Sequence, residues 1–213
     1  MIIYSPLDGE AITSLVTSQP RHCFLMTRLG KTVPPEVTAI RESLTAICCD
    51  FDYRVIDASA RVTGRDFLLK IWRQIASSPL AVGIAHELIP ENSQANIYYE
   101  LGIAQALGKE TVLVKSPAAK VPSDFIRTEY IEFDDGFKNT FSAFFESVFE
   151  QAEHYETMAD QLERNPILSI DYLRRAFLIT GDTKLRDKAS TILKSAGVQE
   201  RAANSVELLA AGF

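Results

Sequence analysis

The run Asn96-Ile-Tyr-Tyr-Glu100-Leu-Gly102 is the stretch of this chain best suited to chemistry. Its i, i+4 spacing puts Asn96 and Glu100 on one face of a helix. Aromatic and aliphatic neighbours disfavour the charged form of the carboxylate by desolvation, a common way to tune a catalytic acid or nucleophile. The same residues would also suit a glutamate that only caps or pairs locally in a structural helix.

Such a helix needs a scaffold, and the apolar pattern supplies one. His22 to Thr27, Tyr53 to Asp57, Pro79 to Ala85, Glu110 to Val114 and Glu129 to Phe133 read as strands. Between them, Val37, Ile40, Leu44 and Ile47 recur at helical spacing, as do Phe67, Leu68, Ile71, Trp72 and Ile75. A third helix is expected over Ala95 to Leu107, stopped by Gly108. Alternating strands and helices predict an α/β domain with a five-stranded parallel sheet, helices on both faces and a flavodoxin-like order. The first strand, the most continuously apolar, is expected at its centre.

Ligands of such sheets bind outside the carboxyl ends of the strands. That rule selects Met26 to Lys31, Asp57 to Asp66 and His86 to Glu100. Arg65, after Gly64 at a helix start, could hold a phosphate, while Asp66 beside it would complement the helix dipole. Lys109 fits a dipole partner at a helix end better than a ligand contact. Tyr98 and Tyr99 are adjacent on the helix and cannot both face the cleft, so one is expected in the core.

After Gly136 the strands cease. Phe137 to Arg164 reads as one long helix or two, with Phe141, Phe144 and Phe145 inward, and Pro166 breaks the pattern. Ile170 to Ile179, Thr183 to Lys194 and Glu200 to Leu209 read as three short helices resembling a tetratricopeptide-type hairpin. The expected organisation is an extension over 1–20 with a short helix over Glu10 to Val16, an α/β domain over 21–136, and a helical region over 137–213. So apolar a tail calls for a partner surface, and a homo-oligomer is expected.

Composition narrows the function. With 46% hydrophobic and 23% charged residues the chain can bury a core. A net charge of −6 argues against a broad grip on nucleic acid, yet one Arg and a helix start can hold a single phosphate. Three cysteines, two of them adjacent, make a poor disulfide framework, and no spacing suits a metal. No apolar run reaches the length of a membrane span, and the first fifteen residues carry Asp8 and Glu10 where a signal peptide needs basic residues. A cytoplasmic protein is expected.

Cys23-Phe-Leu-Met-Thr-Arg28, Arg54-Val-Ile-Asp57 and the run from Ala95 to Val114 resemble the nucleoside 2-deoxyribosyltransferase-like superfamily, in particular a bacterial branch of nucleotide-binding proteins fold-related to TIR domains. Val121 to Tyr130 resembles that branch's last loop and strand. The resemblance spans residues 21 to 135. It implies that Glu100 is the nucleophile at the anomeric carbon of a nucleoside, nucleotide or NAD-like ligand, with no metal or cofactor. It implies that Asn96 orients the sugar or the carboxylate, that Met26, Thr27 and Arg28 lie beside base or phosphate, and that Asp57 matches an acidic position after the second strand. Relatives often carry an Asp after the third strand, where this chain has His86-Glu87, and their loop before the motif is shorter. Either His86 or Glu87 replaces that Asp, or the His is simply solvated or hydrogen-bonded at a strand end. Two readings follow: an N-glycoside hydrolase or transferase, and a non-catalytic nucleotide sensor of the kind used in stress or antiphage signalling.

Overall fold

The structure is a computed structural model that describes residues 16–30, 32–58, 67–123, 130–162 and 164–195. Arg65 and the helix expected over Glu200 to Leu209 lie outside the described residues, as do residues 10–15 of the short helix expected over Glu10 to Val16. The chain divides into two compact units, one of Arg21–Glu146 and one of Met1–Pro20 with Ser147–Phe213.

The first unit holds the sheet. Its elements are β1 (His22–Met26), α1 (Pro35–Asp50), β2 (Arg54–Asp57), α2 (Phe67–Ser77), β3 (Leu80–Ala85), α3 (Glu91–Ala106), β4 (Glu110–Lys115) and β5 (Tyr130–Glu132). All four pairings are parallel, in the order β2-β1-β3-β4-β5. The flavodoxin-like expectation holds. The middle strand, however, is β3 rather than β1. All six residues of β3 are buried, whereas β1 begins on the half-buried His22. Continuous burial on both faces is what the central position demands.

The order fixes which helix covers which face. The β1–β2 connection runs one way along the sheet, and the β2–β3 and β3–β4 connections run the other. Right-handed crossovers then put α1 on one face and α2 and α3 on the opposite one. Strand alternation divides the side chains accordingly. The Cys23 thiol hydrogen-bonds Cys48 of α1, so Cys23, Leu25 and Thr27 face α1. Phe24 and Met26 face α2 and α3. Met26 pairs with Gly83, where a Cβ would come within 3.1 Å of Ile97 of α3 and of Leu113. A side chain at position 83 would push α3 off the sheet, which explains glycine inside a buried strand.

α3 starts at Glu91, four residues before the expected Ala95. Pro90 occupies the N-cap, and its carbonyl accepts from Ser93 and Gln94 N–H. The Gln94 amide reaches back to the carbonyls of His86 and Ile89, at 2.8 and 3.0 Å. These bonds wind Glu91 to Gln94 into helix where the polar sequence suggested loop.

α4 (Phe137–Gln161) is a single helix that crosses the division between the units. Its first turns cover the α1 face of the sheet. There Phe145 stacks on Phe51 at 4.7 Å and meets Tyr53 edge-on at 5.1 Å. Phe141 and Phe145 are fully buried and Phe144 nearly so.

In the second unit, α5 (Pro166–Thr180) and α6 (Lys184–Ser195) form a helical hairpin. Pro166 does not break a helix but starts one. It sits at the first helical position, with Asn165 as N-cap accepting from Leu168 N–H. Buried Ser169 donates to the Ala159 carbonyl at 2.8 Å and ties α5 to the end of α4. Leu173 and Phe177 are buried within the single chain. Gly181 ends α5 at φ 70 in the left-handed conformation, its N–H bonded to the Phe177 carbonyl. Gly181→Ala should therefore cost about 1 kcal/mol, readable as a lower urea midpoint at unchanged m-value.

Candidate active site

Glu100 lies in the third turn of α3, about 14 Å along the axis from the helix start. Helical side chains lean toward the N-terminus, so its carboxyl group points toward the carboxyl edge of the sheet. Ile97, Leu101 and Ala104 are the buried stripe on the sheet. At 100° per residue, Gln94 and Tyr98 fall on one flank of that stripe. The Tyr98 hydroxyl meets the Lys120 carbonyl at 3.4 Å, so this flank faces the β4–β5 connection. Ser93, Asn96 and Glu100 fall on the other flank, toward α2.

The Glu100 carboxylate is half-buried, and it makes no hydrogen bond or ion pair with any described residue. Burial without a compensating donor pushes its pKa up from 4.5 to about 7. α2 brings a group that sequence reasoning treated as core. The Trp72 indole N–H is buried and has no acceptor among the described residues. α2 and α3 run in the same direction on the same face of the sheet, so their flanks have the same sense. Trp72, one residue past the buried Ile71, therefore lies on the flank of α2 turned toward α3. A tryptophan at helical spacing looks the same in sequence whether it fills a core or lines a groove, so only the tertiary structure separates the two.

The other expected site residues are distributed as follows. Met26 is buried on the Glu100 face, and Asn96 is exposed one turn before Glu100. Thr27 and Asp57 face the opposite side, toward α1. Asp57, 8% exposed, is ion-paired with Arg41 of α1. Arg28 follows in the loop, half-buried. His86 closes β3, buried in a turn. Its Nδ1 accepts from Leu88 N–H at 3.1 Å. Its neighbour Glu87 accepts from the Ser116 hydroxyl, and that bond holds the Glu87 carboxyl below the usual range. Lys109 donates to the Ala76 carbonyl at 2.7 Å and clamps the end of α2. Neither tyrosine of the motif is core: Tyr98 is half-buried and Tyr99 exposed.

A cavity of about 560 Å³ opens beside α1. It is lined by Thr27, Arg28 and Val33 from β1 and its loop, and by one flank of α1 from Val37 to Cys49. No three His, Cys, Asp or Glu side chains among the described residues gather to hold a metal ion.

The chain is similar to a 2-deoxyribosyltransferase. That structure, from Bacillus psychrosaccharolyticus, is characterised as a biocatalyst for nucleoside synthesis. The match has a TM-score of 0.43 at 15% identity and covers 57% of this chain and 90% of the other. No family model and no curated protein matches the chain. Among the described residues no helix is long and apolar enough to cross a membrane.

Proposed function

We propose that the chain is an N-glycoside hydrolase or transferase that cleaves the base–ribose bond of a nucleoside, nucleotide or NAD-like ligand through Glu100. The observation that carries this reading is the half-buried Glu100 carboxylate, without a partner among the described residues, on the helix that follows the middle strand. A structural glutamate at such a place is ordinarily paired, because an unpaired buried charge is costly. A carboxylate that meets positive charge during the reaction needs no resident partner.

In this reading the ionised Glu100 attacks C1′ of the sugar, and the C1′–N bond breaks. The electron pair leaves with the base, which takes a proton from solvent. Water or a second base then attacks C1′ and releases the carboxylate. The developing oxocarbenium charge favours the ionised form of a group that titrates near neutrality. Residues 21–136 form the reacting domain, and residues 137–213 a helical region that supports a homo-oligomer in the cytoplasm. Asn96 and Met26 lie on the reacting face and meet the sugar or base.

A second reading, a nucleotide sensor, draws on the depth of Glu100. The early start of α3 places it in the third turn rather than at the rim. Incubation with nucleosides, nucleotides and NAD, followed by chromatography for free base, separates the readings. Release of base from at least one substrate is expected, rising with pH to a plateau above about 7 as Glu100 ionises. Saturable nucleotide binding with no base released from any substrate would favour the sensor.

A further inference from the structure

Glu100 shares its face of the sheet with a second buried polar group that has no partner among the described residues, the Trp72 indole N–H of α2. A buried donor left unsatisfied is a rare and costly feature. α2 and α3 pack against each other. They return to the sheet at Leu80 and Glu110, which face each other across β3 and β4. Trp72 stands five residues before the end of α2 and Glu100 six before the end of α3, so the two lie at the same depth to within one turn. An unpaired donor and an unpaired acceptor thus occupy one level of the groove between the two helices.

Both side chains lean toward the N-terminus of their helix, which is the carboxyl edge of the sheet. One turn nearer that edge, Leu68 on α2 is 39% exposed and Asn96 on α3 is exposed, so these flanks reach solvent above the pair. No hydrogen bond joins Trp72 to Glu100. A group that satisfies both must accept from the indole and donate to the carboxylate. A hydroxyl does both, whereas a carbonyl or an ionised phosphoryl oxygen only accepts and an ammonium only donates. In a nucleoside the base leaves from one face of the sugar and a nucleophile reaches C1′ from the other. The 2′-hydroxyl of a riboside stands on that second face, beside the Glu100 oxygen that does not attack. Hydrogen bonds to such a hydroxyl strengthen as the oxocarbenium charge develops.

We propose that Trp72 binds the substrate and selects ribosides over 2′-deoxyribosides: its indole N–H donates to the 2′-hydroxyl, which in turn donates to the Glu100 carboxylate. This role rests on the reading of Glu100 as the nucleophile and adds a substrate class to it. In a bound 2′-deoxyriboside the hydroxyl is missing and the indole N–H stays unpaired. A site built to bond a hydroxyl discriminates strongly against the analogue that lacks it.

Base release from each ribonucleoside and its 5′-monophosphate, compared with release from the 2′-deoxy counterpart in the parent and in Trp72→Phe, tests it. The variant keeps an aromatic ring and loses the N–H. The riboside-to-deoxyriboside ratio of kcat/KM should fall about tenfold or more in Trp72→Phe. Comparing ratios cancels the intrinsic lability of deoxyribosides, and a purely structural tryptophan would lower both rates together. Trp72 is also the sole tryptophan of the chain, so intrinsic fluorescence reports binding at this residue. In Glu100→Gln, which keeps an acceptor and slows turnover, the emission should change saturably with at least one of the four ribonucleoside monophosphates. That affinity should exceed the one for its 2′-deoxy counterpart by about tenfold or more. Base release with an unchanged ratio overturns the role of Trp72 and leaves that of Glu100 standing. No base release from any substrate overturns the reading of Glu100 instead, and fluorescence then decides for Trp72 by itself, as it does if Trp72→Phe fails to fold. Equal affinities within every pair, or no saturable change with any nucleotide, overturn the proposal.

Discussion

Glu100→Gln should lower base release by roughly a hundredfold or more and at the same time make the folded protein more stable at pH 8. The first effect follows from removing the negative charge that meets the oxocarbenium centre, about 3 kcal/mol of transition-state stabilisation. Size and hydrogen-bonding capacity are kept, so nucleotide binding should survive. The second effect follows from linkage. Burial raises the folded-state pKa of Glu100 from 4.5 to about 7, so between these values the folded state holds a proton that the unfolded state has lost. Stability contributed by this group is present below pH 4.5, declines as pH rises, and is fully lost above about 7. The cost at pH 8 is at most roughly 3 kcal/mol, reduced by the solvent-facing side of the carboxylate. Urea titrations should therefore show the Gln variant gaining over the parent as pH rises from 4 to 8, with no gain at pH 4. Base release that is unchanged in the variant removes Glu100 from the mechanism. A stability difference independent of pH would mean that the carboxylate is solvated.

Phe145→Ala should destabilise the sheet unit by about 3–5 kcal/mol, the range for truncating a fully buried aromatic side chain. Phe145 is the centre of a ring cluster. Beyond Phe51 and Tyr53 it meets Phe141 edge-on at 5.5 Å and Phe144 at 6.3 Å. Removing it leaves a void that four rings line and that the sheet cannot close. Phe149, one turn further along α4 and only half-buried, is the comparison, and Phe149→Ala should cost clearly less. Chemical denaturation of both variants gives the difference. Equal costs would show that α4 contributes to the sheet through its length rather than through this cluster.

Much of the fold was legible from one dimension. Five apolar runs separated by helical patterns can satisfy their backbone groups and bury both sheet faces only as a parallel, doubly covered sheet. Right-handed crossovers left few orders, the flavodoxin-like one among them, and the ring cluster was visible in the spacing of Phe141, Phe144 and Phe145. The motif from Asn96 to Gly102 singled out Glu100 as a carboxylate set among aromatic and aliphatic residues.

Where that helix begins and what surrounds it were not legible. Pro90 and the Gln94 side chain start α3 early through bonds to His86 and Ile89, contacts that exist only once the turn after β3 has closed. Pro166 looked like a break because its ring forbids continuation, yet the same ring favours a first turn when Asn165 caps it. Sequence proximity joined Met26 to Thr27, while the pleat of β1 sends them to opposite faces. Met26 goes to the side of Glu100 and Thr27 to the cavity beside α1. Residue types and local spacing thus determined the elements and the candidate carboxylate. Which side chains share a space was decided by the pleat, the crossover hand and the helix phase together, and these act only when the strands are laid side by side.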